Sequence, residues 1–195
     1  MMSNTFLGTL VSLLACTTFL RALPVGPTDM IRTSNEAMLK VLEDHPGDDQ
    51  AIFQVLDRYT DFAVLSHQAT AVLKDRMTPD QLSKLDHRFQ ELLRLSSIRK
   101  AGRYRATSFT YVREDIQGQD ATVETLARYK EDEVTLSYQV RRRNDSWIIV
   151  NYIVDGVDTA RNYQKQFLSL LNKKGAEGLI SQIEKKVEHL RSEKS

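Results

Sequence analysis

At 195 residues the chain has the length of one domain and enough material to bury a substantial core. Its 27 basic side chains are matched by 26 acidic ones, and 41% of its residues are hydrophobic. That balance argues against a nucleic-acid surface, which wants a basic excess, and against intrinsic disorder, which wants low hydrophobicity.

Residues 6–20, FLGTLVSLLACTTFL, are almost wholly apolar, and Arg21-Ala22-Leu23-Pro24 then breaks the run. A membrane span needs about 20 such residues, so this shorter segment reads as the apolar part of an export signal over residues 1–22. The preceding MMSNT carries no Lys or Arg. Cys16, the sole cysteine, lies inside the segment. Two readings stand: Leu13-Leu14-Ala15-Cys16 is a lipoprotein processing site and Cys16 becomes an acylated anchor, or cleavage near Ala22 discards it. Either way there is no disulfide framework.

Thr28-Asp29 opens a first helix whose apolar face holds Ile31, Ala37, Met38, Val41 and Leu42. The turn cluster His45-Pro46-Gly47-Asp48-Asp49 ends it. The next helical stripe runs through Ile52, Val55, Leu56 and Tyr59 and continues through Phe62, Leu65, Ala69, Val72 and Leu73. Thr78-Pro79-Asp80-Gln81 is a capping box with proline at the first helical position, and Leu82, Leu85, Phe89, Leu92 and Leu93 mark the buried face that follows.

From Tyr104 the period changes to alternation. Strands are expected over 104–113, 121–130, 134–142 and 147–154, with turns at Gly118-Gln119-Asp120, Glu131-Asp132-Glu133 and Asn144-Asp145. In the third, Val134, Leu136, Tyr138 and Val140 face one way and Thr135, Ser137, Gln139 and Arg141 the other, the pattern of a sheet covered on one side. The fourth is apolar on both faces, with Trp147, Ile149 and Ile153 on one and Ile148, Val150, Tyr152 and Val154 on the other. Asp155-Gly156 stops it, Asp158 stands as a helix N-cap, and Tyr163, Phe167, Leu170 and Leu171 form an apolar helical face. A last helix from Ala176 buries Leu179, Ile180, Ile183, Val187 and Leu190. The order predicts an α+β fold, helices packed on a four-stranded antiparallel meander, as one domain over residues 28–191.

Chemistry-bearing motifs are sparse. His45, His67, His87 and His189 are scattered without metal-ligand spacing, and no phosphate loop or nucleophile elbow occurs. Asp57 and Asp61 are i,i+4 on a helix, which more often means two exposed carboxylates than a shared proton. Arg141-Arg142-Arg143 and Arg99-Lys100-Arg103-Arg105 read as solvated charge, or as contacts to anionic headgroups or an acidic partner. No enzyme activity, metal or cofactor is expected. Two other readings are a small exported enzyme with a cone-shaped α+β fold, using Asp61 with His67 or His87, and an exported scaffold that binds only protein.

The set Trp147, Ile149, Asn151, Asp155, Gly156, Val157, Asp158, Asn162, Tyr163, Gln166 and Phe167 resembles the signature of the MlaC (toluene-tolerance) family. So do Lys174-Gly175-Ala176-Glu177-Gly178-Leu179-Ile180, Asp61-Phe62 and Phe89-Gln90-Glu91-Leu92-Leu93. Asn151, Asp155 and Asp158 stand where the family has other residue types. The resemblance implies a periplasmic phospholipid carrier with a lipid cavity between sheet and helices. It implies partners in an inner-membrane lipid ABC transporter complex and an outer-membrane lipid complex, and a monomer that binds no nucleic acid. Combined with the apolar faces above, it points to a lipid lining of Phe62, Leu65, Phe89, Leu92, Leu136, Tyr138, Trp147, Ile149 and Phe167.

Overall fold

The computed structural model describes residues 26–103, 106 and 108–193. The expected export signal, both readings of Cys16, and the expected start of the first strand at 104 lie outside them.

Helix α1, Pro27–Asp44, begins with proline at its first position and Asp29 in its first turn, where an anion offsets the helix dipole. Helix α2, Asp49–Tyr59, is capped by Asp48, whose carboxylate accepts from the Ala51 N–H at 3.0 Å. The apolar stripe predicts that this helix runs on to Leu73, but the chain turns a corner at Thr60-Asp61 instead. There Thr60 forms an isolated parallel bridge with Ile149, and the Asp61 N–H donates to the Ile149 carbonyl at 2.8 Å. Asp61 then caps α3, Phe62–Thr70, by accepting from the Val64 N–H at 3.0 Å. Both helices bury their faces in the same core, so the periodicity survives the corner and hides it.

A short 3₁₀ turn, Ala71–Leu73, leads to α4, Pro79–Arg103. The capping box forms as read: the Thr78 N–H donates to Gln81 Oε1 at 3.1 Å, and the Gln81 N–H to Thr78 Oγ1 at 3.3 Å.

The sheet has five antiparallel strands in sequential order: β1 Ser108–Gln117, β2 Asp120–Tyr129, β3 Asp132–Arg143, β4 Ser146–Val154 and the two-residue β5 Val157–Asp158. The sequence reading has four of these; the fifth is too short to leave a periodic signal. Strand β1 is shifted towards the C-terminus of the expected span and carries a register irregularity at Val112, between Tyr111 and Arg113.

A second irregularity corrects the expected faces of β4. Gln139 pairs with Asn151 but Val140 pairs with Ile149, so Val150 is an extra residue in the ladder. Trp147 and Ile149 therefore share a face with Tyr152 and Val154, opposite Arg142, Val140, Tyr138 and Leu136, and not with Ile153. Alternation cannot expose this, because every residue from Trp147 to Val150 is apolar.

Helix α5, Thr159–Ser192, starts at Asp158, whose carboxylate accepts from the Arg161 N–H at 2.9 Å. It is two helices joined at Gly175, where φ 69° and ψ −178° are open to glycine almost alone. Among the described residues no helix is long and apolar enough to cross a membrane.

Candidate functional site

Buried apolar side chains gather in two clusters. The larger is interhelical and joins Val41 and Leu42 at the end of α1 to α2, α3, α4 and both halves of α5. The smaller lies where Met30 and Ile31 of α1 rest on Ala121, Val123, Tyr138, Val140 and Ile149 of the sheet. Of the nine expected lining residues, Phe62, Leu65, Phe89, Leu92 and Phe167 belong to the first, and Leu136, Tyr138, Trp147 and Ile149 to the second. Leu136 and Trp147 are half-buried and the other seven are buried. The nine thus fall into two clusters, one helical and one on the sheet, that share Tyr152 as a neighbour.

Edge-on aromatic contacts link members of each group. Phe89 meets Tyr163 and Phe167 edge-on, with ring centroids 4.6 and 4.8 Å apart, contacts that add about 0.5–1.5 kcal/mol beyond area burial. Tyr152 packs against both clusters and meets Tyr138 edge-on at 5.8 Å. It marks the seam between helices and sheet.

Polar groups are buried along this seam, and each has a partner. Tyr138 Oη donates to Asn35 Oδ1 at 2.9 Å, and Asn35 Nδ2 donates to Tyr111 Oη at 3.3 Å. Tyr152 Oη and Thr60 Oγ1 share a hydrogen bond of 2.5 Å at the α2–α3 corner. Burial pushes the Tyr138 and Tyr111 phenols up from their ordinary range, and pushes Tyr152 up to about 12. These tyrosines are neutral hydrogen-bonding groups at any physiological pH. None was expected to bridge the layers apart from its apolar role, although Asn35, four residues from Ile31 on the same helical face, is the kind of polar interruption that signals a buried partner.

Among the described residues, two of the clefts lie on the helical side. One, of about 260 Å³, lies between α1 and α2 and is lined by Ala37, Val41, His45, Ala51, Gln54, Val55, Arg58 and Tyr59. The other, of about 180 Å³, lies between α3 and α4 and is lined by His67, Thr70, Ala71, Lys74, Leu82, Ser83 and Asp86. Neither includes any of the nine expected residues.

The groups considered for acid–base chemistry are turned to separate tasks. Asp57 pairs with Arg94, while Asp61 caps α3 and lies 3.5 Å from Arg143. His67 faces the smaller cleft, whose lining does not include Asp61. Asp86 in that cleft accepts from Ser66 Oγ at 2.5 Å and Gln90 Nε2 at 2.9 Å, a role that ties helices together. Among the described residues no group of three or more His, Cys, Asp or Glu is placed to hold a metal. Of the basic clusters, Arg141 pairs with Asp120 at 2.7 Å, and Arg99 donates to the Leu190 carbonyl at 3.0 Å.

This architecture has counterparts among known proteins. The phospholipid-binding protein from Ralstonia solanacearum, solved in complex with a phospholipid, superposes with a TM-score of 0.71 at 20% identity, covering 84% of this chain and 97% of that one. At that identity the likeness establishes a shared fold. No curated protein matches the sequence. The MlaC protein family matches residues 29–185, spanning every helix and strand described above up to the middle of the second half of α5. The chain belongs to the MlaC protein family.

Proposed function

We propose that this protein is a periplasmic phospholipid carrier, with residues 28–191 as its working domain. It would take lipid from one membrane-bound complex and hand it to another, the two being an inner-membrane lipid ABC transporter and an outer-membrane complex. The observation that carries this reading is the shared fold with a protein solved holding a phospholipid, joined to membership of the family. In this chain the apolar clusters of helices and sheet meet at Tyr152.

The physics requires no catalytic group. Each methylene withdrawn from water contributes about 0.8 kcal/mol, so acyl chains are retained by hydrophobic transfer alone. A pocket for a lipid-sized ligand occupies several hundred Å³ and is lined mainly by apolar side chains. A core at normal density has no such space, so the two clusters part along the seam as lipid enters. Phe62, Leu65, Phe89, Leu92 and Phe167 then form one wall, and Leu136, Tyr138, Trp147 and Ile149 the other. Release occurs where a receiving pocket or bilayer offers equal shelter.

Native mass spectrometry of protein purified from a bacterial periplasm tests the reading. Copurified phospholipid is expected, and protein that is persistently lipid-free and takes none from vesicles overturns it. Leu136→Arg places a charge on the sheet wall and abolishes loading if that wall touches acyl chains. Unchanged loading by a folded L136R variant removes Leu136 from the site.

A further inference from the structure

The cleft between α1 and α2 combines an apolar floor with a cation at its edge. Ala37, Val41, Ala51 and Val55 give it an apolar floor, and Arg58 stands at its lip. Arg58 is exposed and has no hydrogen-bond or ion-pair partner among the described residues. Four carboxylates of α1, α2 and the turn between them are engaged elsewhere. Asp44 pairs with Lys40 at 2.8 Å, Asp48 caps α2, Asp49 lies 3.8 Å from Arg99, and Asp57, the immediate neighbour of Arg58, pairs with Arg94 across on α4. Three arginines elsewhere in the helical layer are committed: Arg76 to Asn172, Arg88 to Glu91, Arg191 to Glu188. A guanidinium left without an anion above an apolar floor is a complementary surface for a phosphate carrying an alkyl chain.

The cleft also leads inward. Tyr59 forms part of its wall and packs against the sheet cluster, while Val41 belongs to the interhelical cluster. The residue after Tyr59 is Thr60, whose hydroxyl meets Tyr152 at the seam. At about 260 Å³ the cleft is below the size of a site for a whole lipid. It suits a headgroup and the first part of a chain, with the remainder continuing into the seam.

We propose that the α1–α2 cleft is the portal through which phospholipid enters, with the Arg58 guanidinium donating to the phosphodiester while acyl chains pass over Val41, Val55 and Tyr59 into the seam. The proposal rests on the carrier reading above and adds to it a place and a headgroup contact.

The test uses the protein lacking residues 1–22, vesicles of phosphatidylethanolamine and phosphatidylglycerol, and native mass spectrometry of the uptake. Arg58→Glu is expected to slow uptake by about tenfold, the weight of one charge-assisted hydrogen bond, while Arg128→Glu on the sheet leaves it unchanged. A photo-crosslinking amino acid at the exposed Gln54 is expected to capture phospholipid, and the same group at Lys185 on α5 is not. This second arm needs no change to the charge and keeps the test open if R58E misfolds. If wild-type protein loads lipid while Gln54 captures none and R58E loads at the wild-type rate, the portal is overturned and the carrier reading stands. If wild-type protein takes up no lipid at all, the carrier reading falls and the portal with it.

Discussion

Asn151 is 1% exposed and uses its whole amide. Nδ2 donates to Gln139 Oε1 at 2.9 Å and to Asp158 Oδ1 at 3.0 Å, and Oδ1 accepts from the Ala160 N–H at 3.2 Å. One side chain thus joins β3 and β4 to the first turn of α5, and fixes the carboxylate that caps it. Asn151→Ala removes three bonds and strands a buried N–H, which should lower unfolding free energy by about 2–4 kcal/mol in urea titration. A lone Asn inside a run of Trp, Ile and Val announces such a role, but its partners depend on the bulge at Val150 and are invisible to spacing. Tyr152 makes a second prediction at this scale. Folding raises its phenol from the ordinary 10.0 to about 12, so the native state holds the proton more tightly than the unfolded chain. That advantage is complete below pH 10 and is lost as pH climbs through 12, and Tyr138 shifts the same way. Urea midpoints should therefore fall across this alkaline window, and Tyr152→Phe should flatten the fall.

Among the elements, α5 depends most on a single backbone position. At Gly175, φ 69° with ψ −178° lets Leu171 and Leu179 both reach the interhelical cluster from helices of different direction. A continuous helix would place the second half elsewhere. Gly175→Ala must strain the backbone or straighten the break, at a cost of about 1–3 kcal/mol, read as a lowered midpoint of thermal or urea unfolding. The helix starts were the most legible features of the sequence, because Thr78, Gln81 and Asp158 act through local geometry that spacing encodes directly. Two hairpin turns were legible for the same reason, Gly118 and Asn144 taking positive φ in them, whereas the middle turn, expected at Glu131-Asp132-Glu133, falls at Lys130-Glu131, with Lys130 at positive φ and Asp132 already paired with Tyr129. The corner at Thr60 was not legible, since it is set by a bridge to Ile149, 89 positions away.

At the scale of the molecule, composition and element order were enough for the α+β class, because helices that precede and follow a meander can only cover its apolar face. The site was less legible. Apolar spacing picked out buried residues well, yet burial does not tell which of two clusters a side chain joins, nor where a seam runs between them. The Thr60–Ile149 bridge has a further consequence. Strand β4 is the last long strand, and its outward amides would be an invitation to a neighbouring molecule. Val157 and Asp158 occupy the ladder opposite Val154 and Ile153, and the Thr60-Asp61 backbone occupies it at Ile149, so this margin is blocked at its end and at its middle. The opposite margin, β1, is interrupted at Val112 and followed by Arg113, Glu114 and Asp115, a kink and a charge run that discourage strand-by-strand growth. Both rims are thereby guarded against polymerisation with other copies of the chain, so that a sheet with one greasy face does not seed fibrils.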